Sequence, residues 1–361
     1  MGGNMFTMAE REIMEYVEAN SVALLSLTFS GHSGIAEIVR RQAELLSGQG
    51  TNVTVYCFES DVESEAYDVV ELYSPTNEYV NRVFRILWPL FVFPLLSLAV
   101  QLRDTDTTIS HKYPFNVSCA IAAISGGPEY IYYDHGVAPP ELYDSVVAKT
   151  YSRLMRRLQA VSARPATTVI AISEFVASEL VEEWGPHPTA IIYNSPSDFL
   201  EKHPDDARNI RSYHDIPDEV PVILFVGRVT RHKNVHCLIE AHETLTADKD
   251  EDPYLVIVGK PTQRQYHERL TAMAGDRVRF AGYVDEQYLA SYFAQADVYA
   301  TASLWEGCNL TVIEAQQIGT PVVAFDAGAH SETVESPPGR LVEKGNCDAL
   351  ATNIRAVLDA R

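Results

Sequence analysis

An α/β fold with mostly parallel sheets is predicted by three features of the sequence. Short apolar runs of strand length alternate with longer stretches of helical period. One polar, Pro-rich stretch interrupts the alternation, and after it the same alternation starts afresh. A chain of 361 residues, 46% hydrophobic and 21% charged, has the size and composition of two globular domains.

In order along the chain, Met8–Ala19 mixes acidic and apolar residues and reads as a short amphipathic helix, not as a signal peptide. Val22–Thr28 is a buried strand candidate, followed by a turn carrying Gly31, Ser33 and Gly34. Ile35–Ser47 is helical, with Ile35, Ile38, Val39, Ala43 and Leu46 on one face and Gly48 and Gly50 ending it. Further strands are expected at Val53–Phe58, Val69–Tyr73, Thr107–Ser110, Tyr130–Tyr133, Val169–Ile172 and Ala190–Tyr193. This gives a first domain over residues 1–196 and a linker over 197–220. A second domain, 221–361, has strands at Val222–Val226, Tyr254–Val258, Val278–Phe280, Val298–Ala300 and Pro321–Phe325. Two such Rossmann-like βαβ halves are expected to face each other across a cleft, with ligands at the C-terminal ends of the strands.

The uncharged run Ile86–Leu102, bordered by Arg82, Arg85 and Arg103, breaks the pattern. It is near the lower length limit for a membrane span, and Pro89 and Pro94 would break a helix. Three readings stay open for it: a buried helix pair, a peripheral membrane contact, and a transmembrane helix.

The formal net charge is -21, with 28 basic and 49 acidic residues. Such a field repels phosphate backbones and excludes a general nucleic-acid binder. With Arg outnumbering Lys about three to one, the surface also fits a halophilic source. The five cysteines (Cys57, Cys119, Cys237, Cys308, Cys347) show no paired spacing, so neither a zinc site nor a disulfide framework is expected, and a reducing, cytoplasmic compartment is. The triplet Asp104-Thr105-Asp106 reads as a solvated turn, and no metal is expected.

Two clusters carry chemistry. In GRVTRHKN, residues 227–234, Gly227 lets the backbone turn at a strand end. Arg228 and Lys233 then set two cations suited to a pyrophosphate, and Asn234 can cap the helix that follows. In the stretch from Thr301 to Glu332 a polar loop delivers Gly307, Cys308, Asn309 and Leu310 to a helix N-terminus, an anion site. Glu314 lies just over a turn into that helix, where it could accept from a ribose diol, and Glu306 lies nearer whatever the phosphates carry. In the first half, YYDHG places Asp134 and His135 at a strand end, Ser173 and Glu174 look like a helix cap, and Asn194 follows a strand.

The pair Glu306-x7-Glu314 with GRVTRHKN upstream resembles the retaining GT-B glycosyltransferases of family 4. The resemblance covers most of the chain and is more specific in the second half. It implies that Arg228 and Lys233 hold the donor diphosphate, Glu314 binds the ribose, and Glu306 and His135 sit beside the transferred sugar. The amides of Gly307 to Leu310 and the turn at Gly34 would complete the donor site. Cys308 and Asn309 depart from the family's usual aromatic or small residue followed by Gly, which bears on sugar identity. The function implied is transfer of a sugar from a UDP- or GDP-sugar to a glycan or lipid-linked acceptor, with no cofactor and no metal. A catalytically silent scaffold or a nucleotide-sugar epimerase with the same plan are the alternatives.

Overall fold

The apolar runs become two parallel sheets, one in each of two compact units, Asn4–Ser195 and Pro196–Arg361, in the computed structural model. The structure describes residues 12–30, 34–143, 146–196, 208–246 and 252–360, without the side chains of 78, 79, 82, 85, 86 and 89. Gly31 and Ser33, residues 8–11 of the expected first helix, residues 197–207 of the linker, and the side chains of Arg82, Arg85 and Ile86 lie outside the described residues. Within 12–19 the chain forms a single 3-10 turn, Ile13–Tyr16.

The first unit runs β1 (Ser21–Leu25), α1 (Gly34–Gly48), β2 (Asn52–Cys57), β3 (Asp68–Glu71), α2 (Glu78–Leu87), α3 (Val92–Gln101), β4 (Thr107–Ser110), α4 (Phe115–Ile124), β5 (Glu129–Asp134), α5 (Val146–Ala163), β6 (Thr168–Ala171), α6 (Glu174–Glu182) and β7 (Ala190–Ile191). Its strand order is β3-β2-β1-β4-β5-β6-β7, all parallel. The order reverses between β1 and β4, and the loops leaving their C-terminal ends therefore diverge and open a crevice. Strands β1, β4 and β5 are buried on both faces, so β1 (SVALL) reads as an apolar run without alternation, while β4 (TTIS) and β5 (EYIYYD) bury hydroxyl-bearing and aromatic residues as well.

The second unit runs α7 (Ile210–Tyr213), β8 (Val222–Val226), α8 (Val235–Leu245), β9 (Tyr254–Val258), α9 (Arg264–Met273), β10 (Val278–Gly282), α10 (Glu286–Gln295), β11 (Val298–Thr301), α11 (Leu310–Ile318), β12 (Val322–Phe325), α12 (His330–Thr333), β13 (Arg340–Val342) and α13 (Cys347–Leu358). Its parallel order is β10-β9-β8-β11-β12-β13, with the reversal between β8 and β11. The last 13 or so residues of the polar stretch are not loose: Ile210 and Ile216 are buried in this unit's core, and Arg211 pairs with Asp297. Gly319 ends α11 in the left-handed conformation (φ 93°), as its place in the sequence requires.

The segment Ile86–Leu102 is divided. A 3-10 turn, Trp88–Leu90, separates α2 from α3, so it forms no single span, and no described helix is long and apolar enough to cross a membrane. Trp88, Leu95, Leu98, Ala99 and Leu102 are buried in the first unit's core, whereas Leu90, Val92, Phe93, Leu96 and Val100 face outward. One face of the segment is buried in the core and the other is exposed.

Two expectations are corrected. Cys237 and Cys347 form a disulfide, joining the start of α8 to the start of α13 at a Cα separation of 5.5 Å. The two helices pack side by side, but 110 residues separate the cysteines, and no local spacing can announce such a pair. The cysteine argument for a reducing compartment falls with it. Asn234 does not cap α8 through its side chain. It is left-handed (φ 54°) and closes the turn Arg231–Lys233 with its own amide, a conformation that Asn tolerates better than most residues.

Candidate active site

In the second unit the sheet's switch point brings the two sequence clusters together. The loop after β8 carries Gly227 to Asn234, and the loop after the adjacent β11 carries Ser303 to Asn309. Gly227 and Gly259 lie at neighbouring strand ends; a Cβ on Gly259 (φ 140°) would sit 1.8 Å from the Gly227 carbonyl oxygen. That close approach turns the basic loop over the sheet edge, and the bridge between Val229 and Pro261 holds it there.

The loops are then joined by charge and by backbone. Lys233 Nζ donates to Glu306 Oε1 at 2.5 Å, and the Leu304 amide donates to the His232 carbonyl at 2.8 Å. Burial alone would raise the Glu306 carboxyl, but the Lys233 ammonium, with His330 adding to it, outweighs burial and holds it below the usual carboxylate range. Burial, with Glu306 opposing it, keeps His330 below its ordinary value and so neutral at pH 7; Lys233 is then the cation that keeps Glu306 ionised. Burial and the neighbouring Lys233 push His232 down to about 4. Arg228, on the same loop, is exposed and makes no ion pair among the described residues.

A neutral chain of hydrogen bonds fixes the N-terminus of α11. Asn309 Nδ2 donates to His330 Nε2 at 2.9 Å, and His330 Nδ1 donates to the Phe325 carbonyl at 2.7 Å, which sets the ring's tautomer. Thr311 Oγ1 donates to Asn309 Oδ1, and Tyr299 OH lies 2.6 Å from Thr311 Oγ1. Asn309 occupies the N-cap position without capping, because its side chain is spent on this network. The nine residues of α11 bury Glu314 on the inner side of the helix. Gly307 is buried and Cys308 and Leu310 are half-buried around the helix start. The turn after β12 closes over Glu306: the Ala329 amide donates to the Glu306 carbonyl at 2.9 Å, and Gly328 (φ 62°) leaves no room for a Cβ there.

In the first unit, β4 flanks the switch point and β5 lies next to it, and the ends of these two strands bring two histidines together. His135, after β5, lies with Nε2 3.0 Å from Nδ1 of His111, after β4, and both rings stack with Tyr133. Burial lowers His111 to about 3 and takes His135 well below its ordinary value, so both are neutral at pH 7. Nε2 of His111 is buried with no partner among the described residues. Asp134 does not point its carboxylate outward: it accepts from the Gly136 amide at 2.9 Å and from Tyr132 OH, and burial raises it to about 6. Gly34 opens α1, Ser173 caps α6 by accepting from the Val176 amide, and Asn194 is buried beyond β7. Asp106 accepts from the amides of Asn20 and Ser21, which ties the solvated turn to the start of β1.

Sequence reasoning singled out neither His111 nor His330. His111 had a signal, since it directly follows the expected strand Thr107–Ser110, much as His135 stands just beyond Tyr130–Tyr133. For His330 nothing local distinguishes it from the turn it sits in.

Family descriptions match both halves of the chain: "Glycosyltransferase Family 4" over residues 32–195 and "Glycosyl transferases group 1" over residues 206–361. The chain belongs to the family 4, group 1 glycosyltransferases. Among curated relatives, D-inositol 3-phosphate glycosyltransferase 2 of Catenulispora acidiphila is 33% identical over 221 residues, 58% of this chain and 51% of the relative. A GDP-mannose-dependent monoacylated alpha-(1-6)-phosphatidylinositol monomannoside mannosyltransferase of Corynebacterium glutamicum is 29% identical over 198 residues, 52% of each. The chain thus spans about half the length of these relatives. The fold matches sucrose-phosphate synthase from Thermosynechococcus elongatus (TM-score 0.76, 21% identity, 94% of this chain and 90% of that one). It also matches Anabaena HepE in complex with UDP-glucose (TM-score 0.73, 19% identity, 94% and 90%). The fold class is α/β of the GT-B kind, with two parallel-sheet, Rossmann-like units.

Proposed function

We propose that this chain is a retaining, metal-independent glycosyltransferase that moves a sugar from a UDP- or GDP-sugar to a glycan or lipid-linked acceptor. The observation that carries it is the switch point of the second unit, where Arg228 is exposed and Lys233 is held by Glu306 beside the start of α11. Departure of a nucleoside diphosphate leaves charge on its phosphate oxygens. Fixed cations and a helix N-terminus stabilise that charge without having to reorganise. Arg228 and Lys233 take the diphosphate, the amides of Gly307 to Leu310 take phosphate or sugar hydroxyls, and Glu314 takes the ribose. Glu306 has two tasks in this scheme: it positions Lys233, and its ionised carboxylate lies where positive charge develops on the sugar. His135, neutral, offers a hydrogen bond to a sugar hydroxyl. The names of two similar proteins, one GDP-mannose-dependent and one holding UDP-glucose, support a nucleotide-sugar donor. The outward apolar face of α3 supports a peripheral membrane contact and a lipid-linked acceptor.

Calorimetric titration of UDP and of GDP, in low and high salt, tests the donor site. One nucleotide is expected to bind to the wild type and to bind more weakly to Glu314→Ala. Well-folded protein that binds neither overturns the reading. Release of free sugar or formation of an epimer, without transfer to any acceptor, would overturn the reaction type.

A further inference from the structure

The helix α5 is an electrostatic outlier. In a chain of net charge -21, residues 146–173 contain Lys149, Arg153, Arg156, Arg157 and Arg164 and not one Asp or Glu. Arg156 turns inward, to Glu179, Glu183 and the Val137 carbonyl. The others make no ion pair among the described residues: Arg153, Arg157 and Arg164 are exposed and Lys149 is half-buried. Exposed Val147, Thr150, Leu154 and Val161 recur between them at helical spacing, so cations and aliphatic groups share one outward face. Beside it stands Trp184, 68% exposed in the left-handed conformation (φ 67°). Arg157 lies over its ring at 5.6 Å, and Arg164 Nη2 donates to its carbonyl at 2.7 Å.

We propose that the outer face of α5, with Trp184, is a docking surface for an anionic lipid bilayer. It deepens the membrane contact assigned above to α3 and rests on that reading. Helix α3 packs on α4 and α4 on α5, so the three form one layer over the sheet of the first unit. Phe93, 90% exposed, and Leu96 and Val100 give that layer an apolar edge, and α5 gives it a cationic one. Aliphatic groups and an indole set among Arg side chains suit the boundary between headgroups and acyl chains. The charge balance of the whole chain also selects a planar anion: a flexible polyanion would meet the acidic remainder of the surface, whereas a bilayer meets one face only.

The test uses the full chain with vesicles of phosphatidylcholine alone or mixed with phosphatidylglycerol, by co-sedimentation in low and high salt. Each cation near an anionic surface strengthens binding about five-fold. Wild type is expected to prefer the mixed vesicles about 25-fold, what two such cations supply, and to lose that preference in high salt. Arg153→Glu with Arg157→Glu should abolish the preference while thermal unfolding and nucleotide binding stay as in wild type. Phe93→Ser should weaken binding to both vesicle types and leave the ratio unchanged. Equal binding to both vesicle types by wild type, abolished by Phe93→Ser, would overturn the α5 proposal and leave the α3 reading standing. Binding to neither overturns both. Heparin that binds as tightly as the mixed vesicles would also overturn the proposal, since the face would then be a general polyanion site.

Discussion

The strand ends of the two sheets, at the switch point of the second and one strand beyond it in the first, are built from opposite materials. At β8 and β11 the second unit sets a buried ion pair, Lys233 and Glu306, over a helix N-terminus. At β4 and β5 the first unit sets two neutral histidines stacked on Tyr133. A charged site of this kind suits an anion, and a neutral, ring-lined one suits a sugar's hydroxyls and its apolar face. The topology offers the position, and the side chains at the strand ends decide what it can hold.

Replacing Lys233 by Met should have the largest effect. It removes a cation from the proposed leaving group and strands Glu306, which is 7% exposed. Turnover should fall about 100-fold or more. Breaking a buried pair from one side costs about 3–5 kcal/mol, which a denaturant melt would read. Lys233→Met that melts like the wild type would show the pair to be dispensable for the fold. Gly328→Ala should follow, at about 1–3 kcal/mol, because its left-handed backbone rests on the Glu306 main chain. An unchanged midpoint there would mean that the turn relaxes without cost.

The pH response separates the buried histidines from the Glu306 carboxylate. His111 and His135 have lowered values in the folded state, so below pH about 6.5 the unfolded chain takes up protons that the folded chain refuses. Stability should therefore drop as pH falls from about 6.5 toward His111's value of about 3, by about 1.4 kcal/mol per pH unit for each histidine. The Glu306 carboxyl is shifted down, so its contribution is present above the ordinary carboxylate value of about 4.3 and is lost only below it. The second unit's His232 and His330 add to the earlier window. The double variant His111→Gln, His135→Gln should flatten the slope between about pH 6 and 4.5; an unaltered slope would mean that the pair is protonated in the fold. Phe93→Ser, at a fully outward position, should change stability least, by under about 0.5 kcal/mol, and a larger loss would show that this face packs on something.

Much of this was legible in the sequence because it is local. Val222–Val226 and Tyr254–Val258 are continuous apolar runs with abrupt polar ends, and their strands have those bounds. The loops GRVTRHKN and EGCNLTVIE sit at strand ends as their glycines and the helical period after them require. Partnerships across the fold were not legible. Lys233 and Glu306 are 73 residues apart, His111 and His135 are 24 apart on different strands, and Cys237 meets Cys347 across 110. Strand β13 has three residues, too few for a period to show. The outward half of Ile86–Leu102 was hidden for another reason: composition counts apolar residues without saying which side of a helix carries them.

The most direct test of the division between the charged and the histidine-lined strand ends is calorimetry on two exchangeable ligands, the nucleoside diphosphate alone and the intact nucleotide sugar, with Arg228→Ala and His135→Ala. Arg228 is exposed, so its variant should fold. The account predicts that Arg228→Ala weakens binding of both ligands, while His135→Ala leaves the diphosphate untouched and weakens only the nucleotide sugar. Diphosphate binding lost in His135→Ala and kept in Arg228→Ala would contradict it.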